Sequence, residues 1–302
     1  MVEIPVIIVL MEQIFIYLTL ILSGLILGSF AGATVWRLRA RQLKDDKRHG
    51  EKVDASEYQR LDKLNKSSIA SDRSQCLYCD YKLRWYDMVP VISWITLRGK
   101  CRNCQKSIGI MEPLIELGVA LFFVLSYAFW PFSMDSGLEA ARFIIWLVAG
   151  VGLAILFAYD SKWFILPDKV NFIVIGLGAI YSTLIVVGAS DKLTAIIGIV
   201  TSALILSGLY LILYFVSRGK WVGFGDIKLG LGLALLLADW RLAFLALFVA
   251  NLVGTLAVLP GILSGKLKRN THVPFGPLLI TGLVIAQLSG SYIISMYFSS
   301  LL

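Results

Sequence analysis

The chain has 302 residues, of which 58% are hydrophobic and 16% are charged, and its mean hydropathy is +0.78. Soluble domains carry about 25% charged residues, so this composition excludes an ordinary soluble protein and indicates one that crosses a membrane several times. The net charge of +8 arises between Arg37 and Lys106, where 17 Lys and Arg stand against 9 Asp and Glu.

That basic segment is typical of a cytoplasmic loop under the positive-inside rule. A surface for anionic lipid headgroups is the alternative. The segment contains no motif for binding nucleic acid, so we expect no nucleic-acid partner.

The first predicted membrane helix runs from Ile14 to about Val35, which is long enough to cross a hydrocarbon core of about 30 Å. Three arginines follow it and two glutamates precede it, which places the N-terminus outside. Residues 40–73 are polar and mixed in charge, and they are predicted to form a flexible or weakly helical insert.

Seven further apolar runs predict the remaining membrane helices, at about 113–130, 139–159, 169–188, 193–216, 227–237 and 242–264, with a last one ending near 298. The fold class is therefore an all-α polytopic membrane protein of about eight transmembrane helices with both termini outside. Its three predicted parts are a first transmembrane helix (1–36), a cytoplasmic loop (37–111) and a seven-helix membrane catalytic domain (112–302).

The run 227–237 is unusually short, because 11 residues form a helix of only about 17 Å. We expect the glycine-containing loop before it to lie below the cytoplasmic surface and to line a water-filled cavity, the one setting in which irregular backbone is tolerated at that depth. Local thinning of the bilayer is the alternative.

Two aspartates near the cytoplasmic ends of predicted spans are candidate catalytic residues. Asp160 follows the run 139–159, and Asp226 follows Gly223 and Gly225 in the motif Gly-x-Gly-Asp. Two neighbouring carboxylates share a proton, so one can activate a water while the other protonates a leaving amine. The glycines would let the backbone bend and a substrate strand approach.

Two other interpretations of these aspartates stay open. They could carry protons in a membrane transporter. Alternatively, one of them could pair with Lys162 or Lys228 and stabilise a helix bundle. Asp168 competes with Asp160 for the catalytic role, but its position after Pro167 predicts an N-cap of the next helix.

Small residues recur in the later spans and are predicted to allow close helix packing rather than ligand binding. They are Gly176, Gly178, Gly230 and Gly232.

The four cysteines lie in two Cys-x2-Cys pairs separated by 21 residues, Cys76 with Cys79 and Cys101 with Cys104. This spacing predicts a closed, structural zinc site that folds a small cytoplasmic domain over residues 74–106. Two redox dithiols or free thiols are alternatives, and structural disulfides are not expected in the cytoplasm.

Together these features resemble the type IV prepilin peptidases, which are membrane aspartic proteases with a Gly-x-Gly-Asp motif. The resemblance covers nearly the whole chain. Besides the two cysteine pairs it rests on Gly28-Ser29-Phe30, Trp85-Tyr86-Asp87, Arg98 to Arg102, Glu112 to Glu116, Asp160 to Asp168, Gly223 to Leu229, and Pro274-Phe275-Gly276-Pro277.

The resemblance implies that Asp160 and Asp226 are the catalytic pair, with Gly223, Gly225, Lys228 and Asp168 in the active-site loops. It implies a bacterial inner-membrane enzyme that removes a basic leader from type IV prepilins or pseudopilins, cutting after a glycine at the cytoplasmic face. Three acidic residues would read the basic leader: Asp87, Glu112 and Glu116. Many members also methylate the new N-terminal amine with S-adenosylmethionine, although the sequence carries no independent signature for a methyl donor.

Overall fold

The computed structural model of the protein describes residues 3–65, 74–265 and 273–299. Within these ranges the chain forms helices and no β-strand, which confirms the predicted fold class. The helices are α1 (Glu3–Arg48), α2 (Ala55–Leu61), α3 (Ile92–Thr96), α4 (Met111–Ala128), α5 (Gly137–Trp163), α6 (Asp168–Gly188), α7 (Lys192–Ala203), α8 (Leu209–Ser217), α9 (Phe224–Leu237), α10 (Trp240–Leu263) and α11 (Phe275–Ser299).

Seven segments in the described part of the chain are long and apolar enough to cross a membrane, so the protein is a polytopic membrane protein. They are residues 8–48 of α1, then α4, α5, α6, the continuous segment Lys192–Ser217, α10, and residues 275–297 of α11. The chain divides into two compact units, Met1–Val124 and Leu125–Leu302.

The predicted eighth span is α9, which has 14 residues and is about 21 Å long, too short to cross a core of about 30 Å. It begins at Phe224, three residues before the predicted start. The Asp226 amide donates to the Gly223 carbonyl at 3.1 Å, which draws the glycine motif into the first helical turn. The prediction of an irregular loop is therefore wrong for Gly225, and Gly223 is the N-cap.

Helix α1 differs from its prediction because it continues without a break to Arg48. Residues 40–48 are therefore helical, which agrees with the helical alternative of the prediction and not with the flexible one. Most residues of this stretch favour helix. An ion pair of 2.6 Å between Arg39 and Glu57 also stabilises the position of the helix just before it. Ala40 and Leu43 are buried. Residues 66–73 of the insert lie outside the described residues.

From Leu229 onward, helix α9 is apolar on all faces and mostly buried, as expected of a helix at the centre of its unit. Three serine hydroxyls from neighbouring segments donate to its backbone carbonyls. Ser182 on α6 binds the Leu235 carbonyl at 2.6 Å, Ser202 on α7 binds the Ala234 carbonyl at 3.0 Å, and Ser207 binds the Ile227 carbonyl at 3.0 Å.

Glycines allow the neighbouring helices to approach α9 closely, which confirms the packing prediction at three of its four positions. A Cβ at Gly230 would meet the Leu206 carbonyl, one at Gly178 would lie 2.8 Å from the Leu235 Cβ, and one at Gly232 would lie 3.0 Å from Val174. Gly176 differs, because a Cβ there would meet nothing within 4 Å.

Candidate active site and metal centre

Asp160 lies in the last turn of α5 and is only 5% exposed. Its carboxylate Oδ2 accepts a hydrogen bond of 3.0 Å from the Gly276 amide, which belongs to the first turn of α11. The helix ends just beyond it at Phe164, whose backbone is left-handed (φ 57°) and whose amide donates to the Asp160 carbonyl. The side chain is therefore fixed by a backbone donor from a distant part of the sequence.

Asp226 lies in the first turn of α9, where its carboxylate Oδ2 accepts a hydrogen bond of 3.2 Å from the Gly223 amide. A helix N-terminus favours a carboxylate, because its unpaired amides carry partial positive charge. The motif thus supplies both the turn and the donor that hold the aspartate.

Leu166 packs between Gly225, which precedes Asp226, and Gly276, whose amide holds Asp160. A Cβ at Gly225 would lie 3.1 Å from the Leu166 Cβ, and a Cβ at Gly276 would lie 3.1 Å from the Leu166 Cδ2 and 2.8 Å from the Asp160 Oδ2. The charge of Asp160 also acts on Asp226. Two glycines therefore let the backbones that precede Asp226 and hold Asp160 both pack against Leu166.

Asp168, in the first turn of α6, forms an ion pair of 2.7 Å with Lys228, in the second turn of α9. The N-cap of α6 is Pro167, so the prediction that Asp168 caps the helix is wrong. Proline suits this position because its fixed φ leads into the helix. The ammonium of Lys228 also lies 5.0 Å from the centre of the Phe224 ring. In the described part of the chain, no ion pair involves Asp160 or Asp226.

Sequence reasoning missed the contributions of Gly276 and Leu166 to this site. The stretch Pro274 to Pro277 entered only as part of a resemblance. A glycine between two prolines at the start of an apolar run is a signal for a constrained backbone, and could have pointed to Gly276 as a donor.

The four cysteines converge in the first unit, and their sulfurs all lie within 4.8 Å of one another. The Sγ atoms of Cys76 and Cys104 are 3.8 Å apart, and those of Cys79 and Cys101 are 3.9 Å apart. Tetrahedral zinc with Zn–S bonds of about 2.3 Å requires sulfur separations of about 3.8 Å, so the cluster fits the ion.

Each cysteine pair is held in the same kind of backbone turn. The Cys76 amide donates to the Tyr81 carbonyl and the Cys101 amide donates to the Lys106 carbonyl, both at 2.9 Å. The residue after each pair, Asp80 or Gln105, has a φ of 58°. Two equivalent turns therefore point their thiols at one another.

When no metal ion is bound, the thiols of the cluster differ in pKa. Burial raises the pKa of Cys76 to about 12, whereas a backbone hydrogen bond from Tyr81 lowers the pKa of Cys79 to about 6. A bound cation would stabilise all four as thiolates, because coordinating thiols are deprotonated.

The three carboxylates expected to read a basic leader are each held by a donor within the first unit. Asp87 accepts from the Arg102 Nε at 2.8 Å, Glu116 from the Val91 amide at 2.7 Å, and Glu112 from the Trp36 Nε1 at 2.8 Å. All three line one cavity of about 210 Å³.

Comparison with known proteins gives two matching family models. Residues 22–130 match the bacterial peptidase A24 N-terminal domain, and residues 147–259 match the type IV leader peptidase family. No solved structure matches the chain.

Several curated proteins are similar over most of their length. A type 4 prepilin-like proteins leader peptide-processing enzyme of Escherichia coli is 32% identical over 86% of this chain and 89% of its own. A prepilin leader peptidase/N-methyltransferase of Stutzerimonas stutzeri is 28% identical over 91% of both chains, and one of Bacillus subtilis is 27% identical over 76% and 87%. Because the family model matches the segment that carries both aspartates, and a relative above 30% identity spans most of the chain, this protein belongs to the type IV leader peptidase family.

Proposed function

We propose that the protein is a membrane aspartic endopeptidase that removes the leader peptide from type IV prepilins or related pseudopilins. The observation that carries the proposal is the arrangement of Asp160 and Asp226, two carboxylates on different helices, each held by a glycine amide and near enough for the charge of Asp160 to act on Asp226. The relatives named as prepilin leader peptidases support the choice of substrate.

The proposed reaction is hydrolysis of one peptide bond by a carboxylate pair that shares one proton. The ionised carboxylate takes a proton from a water, whose oxygen attacks the scissile carbonyl carbon. The protonated carboxyl then gives its proton to the leaving amide nitrogen as the C–N bond breaks. The products are a new carboxylate on the leader and a new N-terminal ammonium on the mature protein, which together carry both protons of the consumed water, and the pair again holds one proton.

We place the active site at the cytoplasmic face of the bacterial inner membrane. The orientation rests on the basic segment between Arg37 and Lys106, which the positive-inside rule assigns to the cytoplasm. The short helix α9 supports it, because its N-terminal turn with Asp226 would lie where water can enter from that side.

The name of the relatives supports a second activity, N-methylation of the amine that cleavage produces. The methyl donor would be S-adenosylmethionine, whose sulfonium is a cation. The cavity of the first unit offers a fitting environment, because it combines Trp36 and Trp94 with the carboxylates of Glu112 and Glu116. These side chains would bind and orient the donor.

The test is cleavage of a purified prepilin in detergent, followed by mass spectrometry, with wild type, Asp160→Asn and Asp226→Asn. We expect both variants to lose about 10²- to 10⁴-fold in rate, the usual contribution of acid–base groups. Asp191→Asn is the matched control, because this aspartate caps α7 and asparagine caps equally well.

Wild type should give a product shortened after a glycine, with one extra methyl group when S-adenosylmethionine is added. Cleavage at the wild-type rate by either the Asp160 or the Asp226 variant would refute the proposed catalytic pair. Shortening without added mass would refute only the second activity.

A further inference from the structure

The hydroxyl of Tyr210 is buried without a hydrogen-bond partner among the described residues. The residue is 4% exposed and lies in the first turn of α8. A buried hydroxyl without a partner has lost its hydrogen bonds to water and destabilises a fold, so its presence calls for an explanation.

The face of α8 that carries Tyr210 packs on the turn that carries Asp226. One turn before it, Ser207 donates to the Ile227 carbonyl at 3.0 Å, and one turn after it, the Tyr214 ring lies 5.6 Å from the Phe224 ring. Residues three and four apart share one helix face. Asp226 lies between Phe224 and Ile227 in the sequence, so Tyr210 lies opposite the turn that carries Asp226. The charge of Asp226 acts on the Tyr210 hydroxyl.

The other side of the Tyr210 ring reaches the segment that holds Asp160. The ring lies 5.5 Å from the ring of Phe275 in an edge-to-face contact. The next residue is Gly276, whose amide donates to Asp160. Tyr210 thus packs between the supports of both aspartates.

A turn of π-helix, Leu204–Gly208, comes directly before α8 and ends two residues before Tyr210. Such wide turns are rare and occur often at functional sites. Here the π-helix includes Ser207 and Leu206, which contact α9, and it sets the register at which Tyr210 meets the Asp226 turn.

We propose that Tyr210 is a positioning residue of the peptidase, whose hydroxyl donates a hydrogen bond to the Asp226 carboxylate when substrate is bound. The inference rests on the proposed function, because it assumes that Asp226 takes part in the reaction. Catalytic hydrogen bonds are often long in the free enzyme and tighten in the substrate complex, and a phenol binds an ionised carboxylate strongly.

The experiment compares Tyr210→Phe with Tyr181→Phe in the prepilin cleavage assay, with kcat, KM and thermal stability measured for each. The Tyr181 hydroxyl accepts a hydrogen bond from Gln287 at 3.3 Å, so this control removes a buried phenol that has a structural partner. We expect Tyr210→Phe to lower kcat about ten- to a hundredfold at nearly unchanged KM, without loss of stability. We expect Tyr181→Phe to lower stability and leave kcat intact.

A purely structural role makes the opposite prediction, since phenylalanine would remove an unpaired polar atom and give a stable, fully active enzyme. Wild-type kcat in Tyr210→Phe would therefore overturn the inference. A second variant, Tyr210→4-aminophenylalanine, keeps a donor at the same place and should recover part of kcat; no recovery would exclude a donor role. Asp226→Asn is measured in parallel. Normal cleavage by this variant would refute the proposed function itself, whereas loss of cleavage in Asp226→Asn together with normal kcat in Tyr210→Phe would refute only the role of Tyr210.

Discussion

At the scale of single residues, the site uses glycine for two separate purposes. Gly223 and Gly276 donate backbone amides to Asp226 and Asp160, and Gly225 and Gly276 leave room for Leu166 between them. A side chain at Gly276 would interfere with both tasks. Backbone donors are suited to this role, because they would need no reorganisation when charge moves within the proposed catalytic pair.

Gly276→Ala should therefore reduce cleavage at least about tenfold, because its Cβ would lie 2.8 Å from the Asp160 Oδ2 and would force the carboxylate away from its amide donor. Single-turnover cleavage of a prepilin measures the effect. The control is Gly118→Ala, where a Cβ meets nothing within 4 Å. Equal rates for the two variants would show that the position of Asp160 does not depend on this contact.

At the scale of elements, α9 is positioned by backbone contact on several sides. Serine hydroxyls bind its carbonyls, and Gly230 brings its backbone against that of Leu206. Lipid offers no hydrophobic driving force between helices, so such close approaches and interhelical hydrogen bonds provide much of the association. The position of Asp226 therefore depends on residues that never touch a substrate.

Two glycine-to-alanine substitutions separate packing from helix propensity. Gly230→Ala should lower the free energy of unfolding by about 1–3 kcal/mol, because the methyl group would overlap the Leu206 carbonyl. Gly176→Ala faces open space and should raise it by up to about 1 kcal/mol through better helix propensity. Thermal unfolding in detergent measures both, and a stable Gly230→Ala would contradict the close packing.

At the scale of the whole molecule, the chain divides into a unit with the cysteines and a unit with the aspartates. The cysteine cluster has the sulfur spacing of a zinc site, and it carries no group of the proposed reaction. Small domains without a large core obtain much of their folding free energy from such an ion. We therefore expect the ion to stabilise the segment 74–106 and not the helices that follow it.

Removal of zinc by a strong chelator should make the segment 74–106 sensitive to protease, while the helices beyond residue 125 stay protected. Gel electrophoresis with mass spectrometry of the fragments would locate the cuts. Adding zinc back should restore protection, and Cys101→Ser should be sensitive without any chelator. An unchanged digestion pattern in both cases would mean that the cysteine segment folds without a metal.

Much of this architecture could be predicted from the sequence, because its strongest signals are local. Apolar runs identified the spans, and the spacing of Cys76 to Cys104 predicted a cluster that the structure brings together. The sequence left residues 40–48 flexible or weakly helical and did not predict that α1 continues through them, since this depends on contacts such as Arg39 with Glu57. Tyr210 was missed for the same reason, because its environment is set by segments distant in sequence.

The 14 residues of α9 bear on how the enzyme obtains the water that hydrolysis consumes. The helix is about 9 Å shorter than an average hydrocarbon core, and its buried residues contact protein rather than lipid. Its first turn therefore need not reach the membrane surface, and polar groups at such a depth are tolerated where they line a water-filled cavity. The length of one helix would thus set how far water has to enter the protein before it meets the carboxylate of Asp226.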